Sequence, residues 1–403
     1  YPDGEPGPIV RGGTHSHNLA GNQMTLLGRN FALWEAWDGI RGVDYLLSRP
    51  DVDPTRLGVT GNSGGGTQTS HLCALDDRFT MAAPNCFVTR FVNNLENEEP
   101  TDSEQIVPGM LAAGLDMADF FVAQIPRPVR LGGEINDFFD ARGLRKTYEE
   151  LRRLYAILGL KDNVELYVGP ETHGYNRGAR ENMYRFFNKH AGVDGSTEEP
   201  QIPVEEDRVL QVTPGGQVHL LDSHRTTDFT RDEAKHVSAN RPKLSGARLV
   251  RAVRQYLRLQ TPRHRPPQYR VMRARRIWND PPLTDYGFVV ETEPRCVAML
   301  HAVHRQGEPQ YRFPRGENAT LYVPHRSSLQ EMLLGQTPDD PAEEVRFAVD
   351  VRGVGQLTAR THKDAGDDFF HYYHSDFMYA NHGLMLNQSY AGRRVYDVLR
   401  VLD

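Results

Sequence analysis

Residues 58–67 read GVTGNSGGGT. One serine, Ser63, stands among glycines directly after an apolar run. Glycine is costly inside regular structure, so such a cluster marks a backbone bent more tightly than a Cβ allows, or one that something must approach closely. Residues 56–61 read as a short strand and residues 64–75 fit a helix, which puts the serine at the apex of a strand–turn–helix. Gly61-Asn62-Ser63-Gly64-Gly65 fits the G-x-S-x-G nucleophile elbow, whose turn strains the serine backbone and exposes Oγ. Glycines two before and two after the serine remove side chains that would clash there. The first amides of the following helix face bound substrate, so the Gly64 N–H is the candidate oxyanion donor. The stretch lacks the lysine of a phosphate-binding loop and the spaced glycines of a dinucleotide site.

A serine hydroxyl is a poor nucleophile without a base, and the base is best a histidine oriented by a carboxylate. In this architecture the chain order is serine, acid, histidine. Two loops downstream supply the types. GluIleAsnAspPhePheAspAla (134–141) follows the strand-like run 128–133, and ProGluThrHisGlyTyr (170–175) follows the run 164–169. Parallel sheets carry their sites at the carboxyl ends of the strands, where both loops lie. His173 is therefore the candidate base. It is the one histidine between His71 and His190, both within expected helices. Asp137 is the candidate orienting acid, with Asp140 and Glu134 as competitors.

Strands alternate with helices along the first part of the chain. Helices are expected over 29–48, 64–75, 143–159 and 177–190, and strands over 56–61, 79–86, 128–133 and 164–169; residues 1–23 read as loop. This alternation predicts an α/β domain, a mostly parallel sheet with helices on both faces. Past Pro200 the pattern changes. Residues 203–222 suggest a hairpin turning at 214–216, a basic helix follows, and strand-like runs stand at 286–293, 297–303, 319–324 and 345–351. The expected organisation is a catalytic unit over 1–198, a linker with the hairpin and basic helix over 199–285, and a β-rich second unit over 286–403. Residues 26–44 and 385–403 align without gaps: Leu27, Ala32, Asp38, Arg41 and Asp44 match Leu386, Ala391, Asp397, Arg400 and Asp403. Read as a repeat, this makes the chain a fragment of a longer tandem protein.

Composition narrows the classes. With 38% hydrophobic and 25% charged residues the chain is of globular type, and no apolar run reaches the roughly 20 residues of a membrane span. The formal charge of −6 gives no reason to expect nucleic-acid binding. Much of the arginine-rich stretch 251–276 looks like a helix (ArgLeuValArgAlaValArgGlnTyrLeu) with a solvated basic face, the alternative being a polyanion site. Three cysteines form no disulfide framework: Cys73 and Cys86 read as buried free thiols, though they could bridge in an oxidising compartment. The short histidine spacings at 14–18 and 371–374 lack a clear third ligand, so no metal is expected, and no organic cofactor either. Asp116 and Asp119 read as part of a solvated helix. Residues 89–97 are a candidate lid.

Segments 17–23, 44–53, 58–67, 74–79 and 169–175 resemble bacterial proteins of the acetyl xylan esterase-like group of the α/β-hydrolase superfamily, related to dienelactone hydrolases and prolyl oligopeptidases. The resemblance covers the first 200 residues and implies Ser63, Asp137 and His173 as a triad. It implies a serine esterase of carbohydrate acyl esters acting on a small-molecule or polysaccharide substrate, secreted or periplasmic, with no membrane or nucleic-acid partner. A serine peptidase and a non-catalytic carbohydrate-binding protein are the alternatives. Dienelactone-type chemistry would call for a cysteine nucleophile, which Ser63 disfavours. Several members of the group are tandem proteins, and segments 289–293 and 348–355 resemble the early strands and oxyanion loop of a second unit. The matching loop of the first unit is expected upstream of Tyr1. Loss of one oxyanion donor costs ~100–1000-fold in rate.

Overall fold

A computed structural model of the chain describes residues 13–99, 101–216, 218–260, 265–272, 274–277, 283–304, 318–334, 345–358 and 369–403. The chain divides into two compact units, 1–243 and 244–403. Of the residues expected to link the units, 199–243 group with the first and 244–285 with the second.

Unit 1 runs through α1 (Thr14–Leu26), α2 (Phe31–Leu47), β1 (Gly58–Asn62), α3 (Gly64–Leu75), β2 (Met81–Asn85), α4 (Phe91–Glu96), α5 (Asp119–Val122), β3 (Val129–Asn136), α6 (Ala141–Ile157), β4 (Val164–Thr172), α7 (Arg177–Ala191), α8 (Asp207–Leu210) and α9 (Thr226–Asn240). The four strands form one sheet in the order β1-β2-β3-β4 with every pairing parallel. Parallel neighbours need crossovers. Helix α3 makes the first and packs on β1 and β2; α6 makes the last and packs on β3 and β4. Helix α7 covers β2 through Met183 and Phe186 against Met81 and Ala83. This is the α/β-hydrolase arrangement expected from the sequence. It brings the carboxyl ends of β1, β2, β3 and β4 to one edge.

The apolar spacing of α2 buries Phe31, Ala32, Ala36 and Val43, and Asn30 caps the helix by accepting from the Leu33 N–H at 2.8 Å. Two expectations differ. Residues 14–23, read as loop, belong to helix α1: Asn18 is buried, its Nδ2 donates to Asp102 at 2.9 Å, and its Oδ1 accepts from the Ser103 N–H at 2.8 Å. A Cβ on Gly21 would run into the Ser103 side chain, so distant chain holds this helix, not its own propensity. The segment read as a hairpin carries no strand among its described residues. It holds α8, a turn at 214–216 and a short 3-10 helix (Val218–Leu221).

Unit 2 contains α10 (Gly246–Tyr256), which is the basic helix, then β5 (Tyr269–Val271), β6 (Arg275–Ile277), β7 (Leu283–Glu293), β8 (Cys296–His304), β9 (Ala319–Tyr322), α11 (Ser328–Leu333), β10 (Val345–Asp350), α12 (Phe369–Met385) and α13 (Tyr390–Leu402). Its sheet has the order β5-β7-β8-β10-β9, with β6 also on β7; among the described residues only β10 and β9 pair in parallel. Phe288, Val290, Leu300 and Val349 form its core.

The two aligned segments adopt matching structure. Helices α1 and α12 end at the equivalent residues Leu26 and Met385, and α2 and α13 begin at Phe31 and Tyr390. Ser389 caps α13 as Asn30 caps α2, accepting from the Gly392 N–H at 3.0 Å. The Arg41–Asp44 ion pair has its counterpart in Arg400–Asp403.

Candidate active site

Ser63 sits between β1 and α3 with φ 57° and ψ −119°. That is left-handed backbone which a serine adopts only when its surroundings impose it. They do. The Ser63 N–H donates to the Asn85 carbonyl at 3.0 Å, and the Ser63 carbonyl accepts from the Thr67 N–H at 2.9 Å. The glycines divide by role. A Cβ on Gly61 would collide with the backbone of Gly65, so the turn closes only over a glycine there. A Cβ on Gly66 would collide with the Asn85 carbonyl, so this glycine lets α3 lie against β2. A Cβ on Gly65 would meet nothing within 4 Å, so sterics do not demand glycine there. Gly64 opens the helix, where first-turn amides lack an intrahelical acceptor.

At the ends of β3 and β4, His173 Nδ1 lies 2.9 Å from Asp137 Oδ1 and 3.0 Å from Oδ2. Asp137 Oδ1 also accepts from the Phe139 N–H at 3.0 Å. The imidazole stacks on Phe138, centroids 4.3 Å apart, and lies 5.9 Å from the Phe139 ring. The aromatic pair after Asp137 thus sets the ring plane while the carboxylate sets its rotation. The competing carboxylates are committed elsewhere. Asp140 caps α6, accepting from the Arg142 N–H at 2.7 Å, and also binds the Arg142 guanidinium and Asn93 Nδ2. Glu134 is buried and its Oε2 accepts from the Glu171 N–H at 3.1 Å. His71 is buried in α3, and burial lowers its pKa to about 4.

The structure adds residues that no motif marked. Cys86, at φ 48°, is buried after β2 with its sulfur within 4.8 Å of ligand atoms of Asp137 and His173. Burial first, then the Asp137 carboxylate against the Gly174 carbonyl, push its thiol up to about 12, which keeps it protonated. All three cysteines are free. Sulfur, nitrogen and carboxylate donors of this kind suit a soft divalent metal in principle. Here the Asp137 oxygens are already taken up by His173 Nδ1, so the group reads as a hydrogen-bonded cluster. His15 and His17 lie on α1; the side chains of His371 and His374 lie outside the described residues.

A second polar cluster approaches the elbow. Glu104 Oε1 would touch a Cβ on Gly64 at 4.0 Å. Glu104 Oε2 lies 3.2 Å from His17 Nδ1, which is 3.5 Å from Glu35. The hydrogen bond to Glu104 raises the pKa of His17. Burial, with Glu104 nearby, raises Glu35 to about 7 and Asp102 to about 7. These groups come from separate segments of chain, and no local spacing signals them. The candidate lid 89–97 contains α4. It is tied down by Asn93 to Asp140 and by Asn97 Nδ2 to the Phe138 carbonyl at 3.1 Å, and it exposes Val92 and Leu95. Asp116 is no solvated helical residue: its carboxylate accepts from the Phe91 N–H at 3.1 Å.

Residues 20–106 match the sequence profile of the prolyl oligopeptidase family. A 170-residue stretch is 28% identical to the protein named "Putative hydrolase YtaP" from Bacillus subtilis (strain 168), covering 41% of this chain and 56% of that protein. The chain thus spans about half the length of that curated relative. Among solved structures, "Methylesterase BT1017" aligns with TM-score 0.35 at 29% identity, covering 42% of this chain and 37% of the other. A glucuronoyl esterase from Solibacter usitatus aligns with TM-score 0.35 at 16% identity, covering 46% of this chain and 52% of the other. No described helix is long and apolar enough to cross a membrane.

Proposed function

We propose that this chain, a member of the α/β-hydrolase superfamily, is a serine hydrolase that cleaves carboxylic esters, acyl esters on carbohydrate being the substrate class. The observation that carries the reading is the strained Ser63 on the same sheet edge as the hydrogen-bonded pair His173–Asp137. In the mechanism, Ser63 Oγ attacks the ester carbonyl and His173 Nε2 takes its proton. Asp137 holds the Nδ1–H tautomer and stabilises the imidazolium without itself taking the proton. The Gly64 N–H donates to the tetrahedral oxyanion. His173 then protonates the departing alcohol. A water deprotonated by the same ring releases the acid and regenerates Ser63. No step requires a metal or an organic cofactor. The likeness of the elbow and the 169–175 loop to acetyl xylan esterase-like proteins supports an acyl ester on sugar, and with it a secreted or periplasmic site of action.

The second reading, a peptidase, is favoured by the prolyl oligopeptidase match over 20–106. Triad chemistry alone does not separate ester from amide. The test is fluorophosphonate labelling with peptide mapping on the chain and on Ser63→Ala, followed by turnover of acetylated xylo-oligosaccharide against a prolyl peptide. An adduct on Ser63 with ester turnover sustains the reading. Turnover of the peptide alone replaces it with the second. A chain that takes no label is not a serine hydrolase as it stands.

A further inference from the structure

The carboxamide of Asn85 stands where the three loops of the candidate site meet, and it is fully buried. Its Nδ2 donates to Asn62 Oδ1 at 2.9 Å and to Cys86 Sγ at 3.1 Å, and lies 3.5 Å from the Gly174 carbonyl. Asn62 immediately precedes Ser63, Gly174 immediately follows His173, and Cys86 lies against Asp137. The Asn85 carbonyl in turn accepts from Ser63 N–H. One residue at the end of β2 thus touches the neighbours of all three candidate triad members.

The orientation of the amide is determined by chemistry. Arg130 Nη1 lies 3.3 Å from Asn85 Oδ1, and a guanidinium can only donate, so the oxygen faces Arg130 and both N–H groups face the loops. Arg130 is fully buried. Its other partners are Asn182 Oδ1 at 2.8 Å, the Ala179 carbonyl at 3.1 Å and the face of Tyr167. No carboxylate ion pair with it occurs among the described residues, which makes the Asn85 oxygen one of its few acceptors. Gly132 leaves the space: a Cβ there would collide with both Asn85 Oδ1 and the Arg130 guanidinium.

We propose that Asn85 is a positioning residue that sets the Ser63, His173 and Asp137 loops in register through its two amide protons, with Arg130 as the anchor that keeps those protons aimed at the loops. The inference rests on the serine-hydrolase reading for its kinetic consequence and on the geometry alone for its structural one.

Asn85→Asp tests it, because the carboxylate keeps the acceptor for Arg130 and loses both donors. With folding checked by circular dichroism, phosphonylation of Ser63 by a fluorophosphonate is expected to slow on the order of 10–100-fold, the scale on which a small misplacement acts. Hydrolysis of p-nitrophenyl acetate should lose kcat with KM within about twofold, and its pH profile should shift upward near the added charge. Unchanged labelling and pH profile, or a loss confined to KM, overturns the proposal. Should Asn85→Asp fail to fold, Asn62→Ala removes a single acceptor; labelling at the wild-type rate there overturns it equally. If the wild-type chain reacts with neither probe, the hydrolase reading falls. Asn85 is then judged by the low-field NMR signal of the His173 Nδ1 proton: a change in the variant sustains the positioning role, and an identical signal ends it.

Discussion

His173 Nδ1 lies within hydrogen-bonding distance of both carboxylate oxygens of Asp137, at 2.9 and 3.0 Å, with the carboxylate fully shielded from solvent and the imidazole 24% exposed. This arrangement gives the buried acid one task, to accept the Nδ1 proton, and leaves Nε2 as the nitrogen with a free lone pair. Asp137→Asn should therefore preserve the loop while favouring the wrong tautomer. The expected loss is roughly 10⁴-fold in kcat against p-nitrophenyl acetate, with little change in thermal stability. A variant within tenfold of wild type would show that another group orients the ring.

Asp140 provides the contrasting case. It caps α6 and holds Asn93 and Arg142, and it makes no hydrogen bond to His173. Asp140→Ala should cost about 1–2 kcal/mol of stability by loss of the cap. It should also leave kcat within a few-fold of wild type at a temperature where the fold persists. Urea unfolding and ester hydrolysis on the same preparation separate the two effects. A collapse of kcat with stability unchanged would return Asp140 to the list of acids.

Why the sequence marked some of these residues and not others follows from the range of the forces involved. The elbow was legible because its requirement is local: residue 61 meets the backbone of residue 65 across a single turn, so the glycine at 61 records the geometry, while the one at 65 is not demanded by it. His173 was legible because parallel strands deliver their loops to one edge. The choice among Glu134, Asp137 and Asp140 was narrowed but not decided, since which of them faces the imidazole depends on the loop path after β3. Helix α1 was illegible because Asn18 and Gly21 are held by Asp102 and Ser103, more than 80 residues away in sequence. Asn85 and Glu104 act through contacts between distant segments, and composition near them carries no trace of that.

The glycines of the elbow predict a sharp contrast. Gly61→Ala forces a methyl into the Gly65 backbone and should destabilise by about 1–3 kcal/mol, the usual scale of overpacking, and lower Ser63 labelling with it. Gly65→Ala enters open space in the first turn of α3 and should be neutral, or stabilising by up to about 1 kcal/mol. Thermal unfolding of both variants is the measurement. Equal destabilisation would mean that the turn is closed by something other than the Gly61–Gly65 approach.

The cluster beside Gly64 predicts a pH dependence of stability. Glu35 faces His17, Glu104 and Asp38, and burial together with Glu104 raises it to about 7; Asp102 rises to about 7 for the same reasons, and His17 is raised by Glu104. For groups raised in the folded state, the native chain binds more protons than the unfolded one. The contribution of the two carboxylates is present in full below their unfolded range and is lost as pH rises through about 7, while that of His17 is present in full below the ordinary histidine value and is lost above it. Buried His71 acts with the opposite sign, since its pKa falls to about 4 and its contribution is lost as pH drops from the ordinary histidine value toward 4. The chain should therefore be most stable on the acid side of neutrality and should weaken between about pH 4 and 7, the span between the unfolded and folded values of Glu35 and Asp102. Glu35→Gln removes one of the proton-binding carboxylates while keeping its shape, so its melting temperature should fall less steeply over that range than that of wild type. Parallel curves for the two chains over that same range would show that Glu35 is ionised in the folded state and that the cluster does not share protons.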